Sequence, residues 1–97
     1  MKKIISYIGF ARKSNNIIIG QSLLKSSTKQ VYLIMLCSTA SNNLKDLAHN
    51  VANRYDCSII TTDNLDELTN LNGVKIIGIT DNNLSKAIID NWNLEKE

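Results

Sequence analysis

The sequence predicts an α/β fold, a three-layer α-β-α sandwich, and two observations carry that expectation. Helical and strand patterns alternate along the chain, the arrangement in which helices cover a sheet. The run Val31-Tyr32-Leu33-Ile34-Met35-Leu36-Cys37 is apolar without alternation, so both faces need cover, as in a central strand of an α/β sheet. A chain of 97 residues has length for one core, and residues 1–97 are expected to form a single domain.

The elements follow in order. Ile4, Ile5, Ile8 and Ala11 form a helical stripe over residues 2–13, and Ser14-Asn15-Asn16 is a turn cluster that ends it. Ile17-Ile18-Ile19 reads as a short strand, and residues 21–27 as a short helix with Leu23 and Leu24 inward. After the central strand, Ser38-Thr39-Ala40-Ser41 offers helix caps. Leu44, Leu47, Ala48, Val51, Ala52 and Tyr55 then keep a 3.6-residue period over three turns. Asp56 closes that helix, and Cys57-Ser58-Ile59-Ile60 is the next strand. Thr62-Asp63 is expected to cap a short helix with Leu65, Leu68 and Leu71. Asn72-Gly73 turns the chain, and Val74–Thr80 is the last strand. Asp81 caps a final helix with Leu84, Ala87, Ile88 and Trp92 inward.

Composition excludes several classes. The chain is 43% apolar and 21% charged, with no proline, ordinary values for a globular domain. Lys2-Lys3 before Ile4–Ile8 faintly resembles a signal peptide, but polar residues break the stretch and Arg12-Lys13 follows it. No run approaches the length of a membrane span, so the expected location is the cytoplasm, with no membrane partner. Cys37 and Cys57 lie beside apolar residues and lack zinc-site spacing, and His49 is the single histidine. They read as small buried thiols in a reducing compartment, with a disulfide as the minority case.

Charge is divided unevenly. Residues 1–45 carry Lys2, Lys3, Arg12, Lys13, Lys25, Lys29, Lys45 and no acid, a net +7, whereas residues 46–97 carry −5. A one-sided basic half is the footprint of a polyanion binder, provided folding does not mix the halves. Arg12, Lys13, Lys25 and Lys29 are therefore expected on one face around Gly20.

The stretch Ile17-Ile18-Ile19-Gly20-Gln21-Ser22-Leu23-Leu24-Lys25 adds a phosphate-binding possibility. A strand that stops on Gly and opens a helix leaves backbone N–H groups pointing outward, with the positive end of the helix dipole behind them. Lys25 lies about one turn further on. The plainer reading is a strand-to-helix turn that uses Gly for its backbone freedom.

No catalytic constellation emerges. His49 sits on a well-formed helix without a thiol nearby in sequence. Asp66-Glu67 reads as a pair of helix-start residues, and Asp63, Asp66 and Asp81 occupy caps rather than a metal loop. No Gly-rich nucleotide loop is present. The expectation is a non-enzyme without cofactor, metal or small-molecule substrate.

Three segments together resemble a known family. Ile8-Gly9-Phe10-Ala11-Arg12-Lys13-Ser14-Asn15-Asn16-Ile17-Ile18-Ile19-Gly20 is similar to "LGLARRAGKLVSG", the opening of the bacterial YlxQ-like relatives of the kink-turn RNA-binding ribosomal proteins. Ala40-Ser41-Asn42-Asn43-Leu44-Lys45 resembles "ASxNTKK". Ile77-Gly78-Ile79-Thr80-Asp81-Asn82-Asn83-Leu84-Ser85-Lys86-Ala87-Ile88 resembles "AVTDxxFAxxI". The likeness covers residues 4–90, in order and with similar spacing. It implies a mixed four-stranded sheet in the sandwich and binding of sharply bent RNA. In that family a Gly-x-Asn/Lys-Glu/Gln-x-x-Lys segment enters the RNA groove, and a second loop, after the last strand, cups an extruded base.

The sequence departs from that motif. Gly20 and Lys25 are five residues apart where the family has six. Holding Gly20 in register puts Ser22 and Leu23 at the base-reading positions, and holding Lys25 puts Gln21 and Ser22 there. The resemblance thus implies an RNA site of Gly20, Gln21, Ser22 and Lys25, with Thr80, Asp81 and Asn82 alongside. The implied partner is structured, kink-turn-like RNA, with ribosomal RNA among the candidates. The alternative is a protein-interaction module that keeps the fold with a degenerate RNA site.

Overall fold

The computed structural model describes residues 2–21, 25 and 28–96. Along them run α1 (Lys2–Lys13), β1 (Ile17–Ile19), β2 (Leu33–Cys37), α2 (Asn42–Tyr55), β3 (Ser58–Thr62), α3 (Leu65–Thr69), β4 (Ile76–Ile79) and α4 (Asn82–Lys96). The strands form one mixed sheet in the order β1-β4-β2-β3. β4 runs antiparallel to both neighbours, and β2 and β3 are parallel.

The sheet has a core on each face. Leu33, Met35, Ile60, Ile77 and Ile79 pack with Ile4 and Ile8 of α1, Leu65 and Leu68 of α3, and Ile88 and Trp92 of α4. Ile34, Leu36, Ile76 and Ile18 pack with Leu44, Ala48, Val51 and Ala52 of α2. All five residues of β2 are buried, as the absence of alternation requires. The expected sandwich is the observed one, with three helices on one face and α2 on the other among the described residues.

Boundaries differ from the expectation at several points. β2 begins at Leu33 rather than Val31, although Val31 is buried and the Tyr32 N–H donates to the Ile79 carbonyl at 2.8 Å. β4 begins at Ile76 rather than Val74. The α3 cap position is Asn64, not Thr62-Asp63. Thr62 ends β3, and its hydroxyl donates to Asn64 Oδ1 at 2.5 Å. Asp63 instead accepts from the Ser38 hydroxyl. Leu71 falls beyond α3. Cys37 is buried, whereas Cys57 is half-buried just before β3, and both thiols are free. Of the short helix expected over residues 21–27, Gln21 and Lys25 have helical backbone, and the rest lies outside the described residues.

The caps of α2 match the sequence reading. The Ser41 hydroxyl accepts from the Leu44 N–H at 3.2 Å, satisfying one orphan donor of the first turn. Asp56 takes the left-handed conformation at φ 53°, and its N–H closes on the Ala52 carbonyl. Asp81 caps α4, accepting from the Leu84 N–H at 3.0 Å.

Candidate nucleic-acid interface

Strand direction decides what meets at each end of the sheet. β1, β2 and β3 point the same way, so their carboxyl ends share one edge with the start of β4. At that edge Gln21 follows β1, α2 follows β2 and α3 follows β3. The carboxyl ends of parallel strands are where open α/β sheets place ligands.

Gly20 is the pivot of this edge. Its φ is +92°, a value that L side chains rarely adopt, while the space around it is open. Backbone geometry rather than crowding therefore selects glycine. Its N–H donates to the Ile76 carbonyl at 3.1 Å, closing the last rung between β1 and β4. The sheet ladder takes this amide, so it is not among the N–H groups that a helix opening leaves pointing outward.

Opposite Gly20 stands the turn Asn72-Gly73, with Gly73 at φ +76°. Gly20, Gln21, Leu44, Asn72, Gly73 and Lys75 contribute to one hollow of about 300 Å³. Two glycines with positive φ thus face a single space. The Lys75 ammonium donates to the Thr39 hydroxyl at 2.8 Å, which fixes one cation at this edge. Thr39 also contacts the Cys37 thiol at 3.1 Å. That side-chain hydrogen bond, opposed by burial and helped by the Thr39 backbone and Lys75, holds the Cys37 thiol below its usual range. Gln21 and Lys25 are exposed, Gln21 with both a donor and an acceptor.

The edge is electrically divided. A neighbouring hollow of about 450 Å³ is lined by Asp63, Asn64, Asp66, Glu67, Asn70 and Asn72. That acidic flank disfavours an anion on its own side of this end.

The remaining expected site residues lie elsewhere or outside the described set. Ser22 lies outside the described residues. Thr80, Asp81 and Asn82 sit at the opposite end of the sheet: Ile17 pairs with Ile79, and the Thr80 N–H donates to the Asn16 carbonyl at 2.9 Å. Four residues of extended chain separate that rung from Gly20, about 13 Å. The antiparallel pairing of β1 with β4 is the reason, since it places the start of β4, not its end, beside Gly20. The Asp81 carboxylate is occupied by capping.

The basic residues do not gather as expected either. The Arg12 guanidinium donates to the Thr69 carbonyl at 3.1 Å, and Lys29 Nζ donates to the Asn15 carbonyl at 3.3 Å. Lys13 ends α1 just before that turn. Lys25 remains with Gly20 by sequence, and Lys75, from the acidic half of the chain, joins them. Sequence reasoning did read Asn72-Gly73 as a turn; the strand order that makes it part of the interface has no local signal.

Comparison with known proteins adds a likeness of fold. No protein-family model matches the chain, and no curated protein does. A solved chain from Bacillus halodurans C, described as a protein with unknown function, is 22% identical. The match covers 91% of this chain and 94% of that one, with a TM-score of 0.76. It shows a shared fold.

Proposed function

We propose that this chain is a small cytoplasmic RNA-binding protein of the YlxQ-like, kink-turn-binding kind, acting on structured RNA such as ribosomal RNA and not as an enzyme. The observation that carries the reading is the hollow in which Gly20 and the Asn72-Gly73 turn face each other beside Lys75. Bare backbone at two glycines lets a phosphodiester chain approach closely. Lys25 and Lys75 supply cations for its phosphates, and Gln21 and Asn72 supply amides for base edges. A bent RNA presents unstacked bases to such a hollow, which is how proteins read RNA sequence. The Asn72–Lys75 segment takes the base-cupping role that the resemblance had assigned to Thr80–Asn82.

The second reading, a protein-interaction module, draws on the acidic hollow of Asp63, Asp66 and Glu67, which repels RNA and suits a basic partner. Gel-shift titration with a kink-turn RNA and a straight duplex separates the two. Preference for the bent RNA sustains the first reading, and binding of neither at low salt sustains the second.

A further inference from the structure

The helix α1 has a solvent face that neither the sheet-edge hollow nor the core uses. Ile4, Ile8 and Ala11 point into the core. Lys2, Ser6, Gly9 and Lys13 follow one another at i, i+4, i+7 and i+11, so they form a row along the outer side. Phe10 flanks this row on one side, 60% exposed, and Ile5 on the other, 41% exposed. α1 carries Lys2, Lys3, Arg12 and Lys13 and no acid. A hollow of about 280 Å³ is lined by Lys2, Lys3, Ser6 and Tyr7, and another of about 420 Å³ by Gly9, Arg12 and Lys13.

We infer that this face of α1 is a second nucleic-acid surface, a stacking platform for a short single-stranded RNA segment. One hollow joins lysines to an aromatic ring, the partly buried Tyr7 beside Lys2 and Lys3; the other holds no aromatic residue, but the exposed Phe10 lies one turn from its Lys13. Cations for the backbone interleaved with π-faces for the bases are what single-strand binding needs. The ends of the lysine row are about 16 Å apart along the helix, room for a few nucleotides. Gly9 has no side chain and borders open space, which keeps the middle of the row low.

Three other occupants fit less well. Ile5 and Phe10 lie on opposite sides of the lysine row, so they offer no continuous apolar seam for a partner helix or a membrane. A second copy would set two wholly basic faces against each other.

Fluorescence anisotropy with labelled single-stranded hexauridylate tests the inference. It is expected to bind saturably at low salt. Phe10→Ala should weaken binding at least about fivefold, the loss of one base stack. Lys13→Ser should lower the slope of log affinity against log salt by about 0.7. Saturating unlabelled kink-turn RNA should leave most of the hexamer bound, which separates this surface from the Gly20 hollow. No hexamer binding at low salt, or binding indifferent to Phe10→Ala, overturns the inference. So does a polyglutamate or an anionic phosphatidylserine vesicle that binds more tightly and loses as much on Phe10→Ala, which would assign the face to a protein or a membrane.

Discussion

The Gly20 N–H reaches the Ile76 carbonyl at 3.1 Å and ties the end of β1 to the start of β4. That one rung determines which loop faces the helix opening at Gln21. It sets Gly20 at φ +92° beside the Asn72-Gly73 turn and leaves Thr80 at the far end of the sheet.

Gly20 is consequently the residue least open to replacement at the interface. Gly20→Val places a β-branched residue at positive φ and should cost about 1–2 kcal/mol, read as a lower urea midpoint. RNA affinity should fall further than that loss explains, because the side chain also stands where phosphate must approach. A variant with wild-type affinity would show that the RNA does not approach Gly20.

Lys25, Lys75 and Gln21 should separate by role. Lys25→Ala and Lys75→Ala should each weaken related RNAs about equally and reduce the salt slope by roughly one counterion. Gln21→Ala should reduce discrimination between RNAs more than overall affinity. Asn82→Ala, at the opposite end of the sheet, should leave binding intact. If Asn82→Ala weakens binding and Lys75→Ala does not, the corrected placement of the interface is wrong.

Leu33 lies at the centre of the sheet, fully buried between helical layers. Leu33→Ala should cost about 2–5 kcal/mol by leaving a cavity. Leu33→Asp buries an unpaired charge and should abolish the folded state. Circular dichroism melts check both, and a cooperative transition for Leu33→Asp would contradict the assignment.

The two thiols should differ in reactivity. Burial, with Asp56 adding, pushes the half-buried Cys57 thiol up. The folded state therefore disfavours its thiolate, and pH must rise beyond the ordinary cysteine range before it forms. In a Cys37→Ala background, iodoacetamide labelling should be slower than for a free cysteine at pH 8.5 and should accelerate on unfolding in urea. Labelling at the free-cysteine rate in the folded protein would contradict the placement of Cys57.

Local patterns carried the elements, and long-range order carried the site. The α2 stripe from Leu44 to Ala52, its Ser41 and Asp56 caps, and the Asp81 cap were readable because each depends on neighbours within a turn or two. The start of α3 was misread because Thr62 and Asp63 are equally good caps in sequence. Pairing drew Thr62 into β3, and Ser38 engaged Asp63. The placement of Thr80–Asn82 beside Gly20 failed for a deeper reason: whether β4 runs with or against β1 is not written in either strand. The charge split misled similarly, since Lys75 crosses to the Gly20 edge while Arg12 and Lys29 are held by the Thr69 and Asn15 carbonyls.

Calorimetric titration of a kink-turn RNA, set against a straight duplex of equal length and at the same salt, tests the central claim most directly. The account predicts saturable binding of the bent RNA, at least about tenfold or roughly 1.4 kcal/mol tighter than the duplex, with the preference reduced by Lys75→Ala. Equal affinity for the two RNAs, or no heat with either at low salt and high protein concentration, would contradict it.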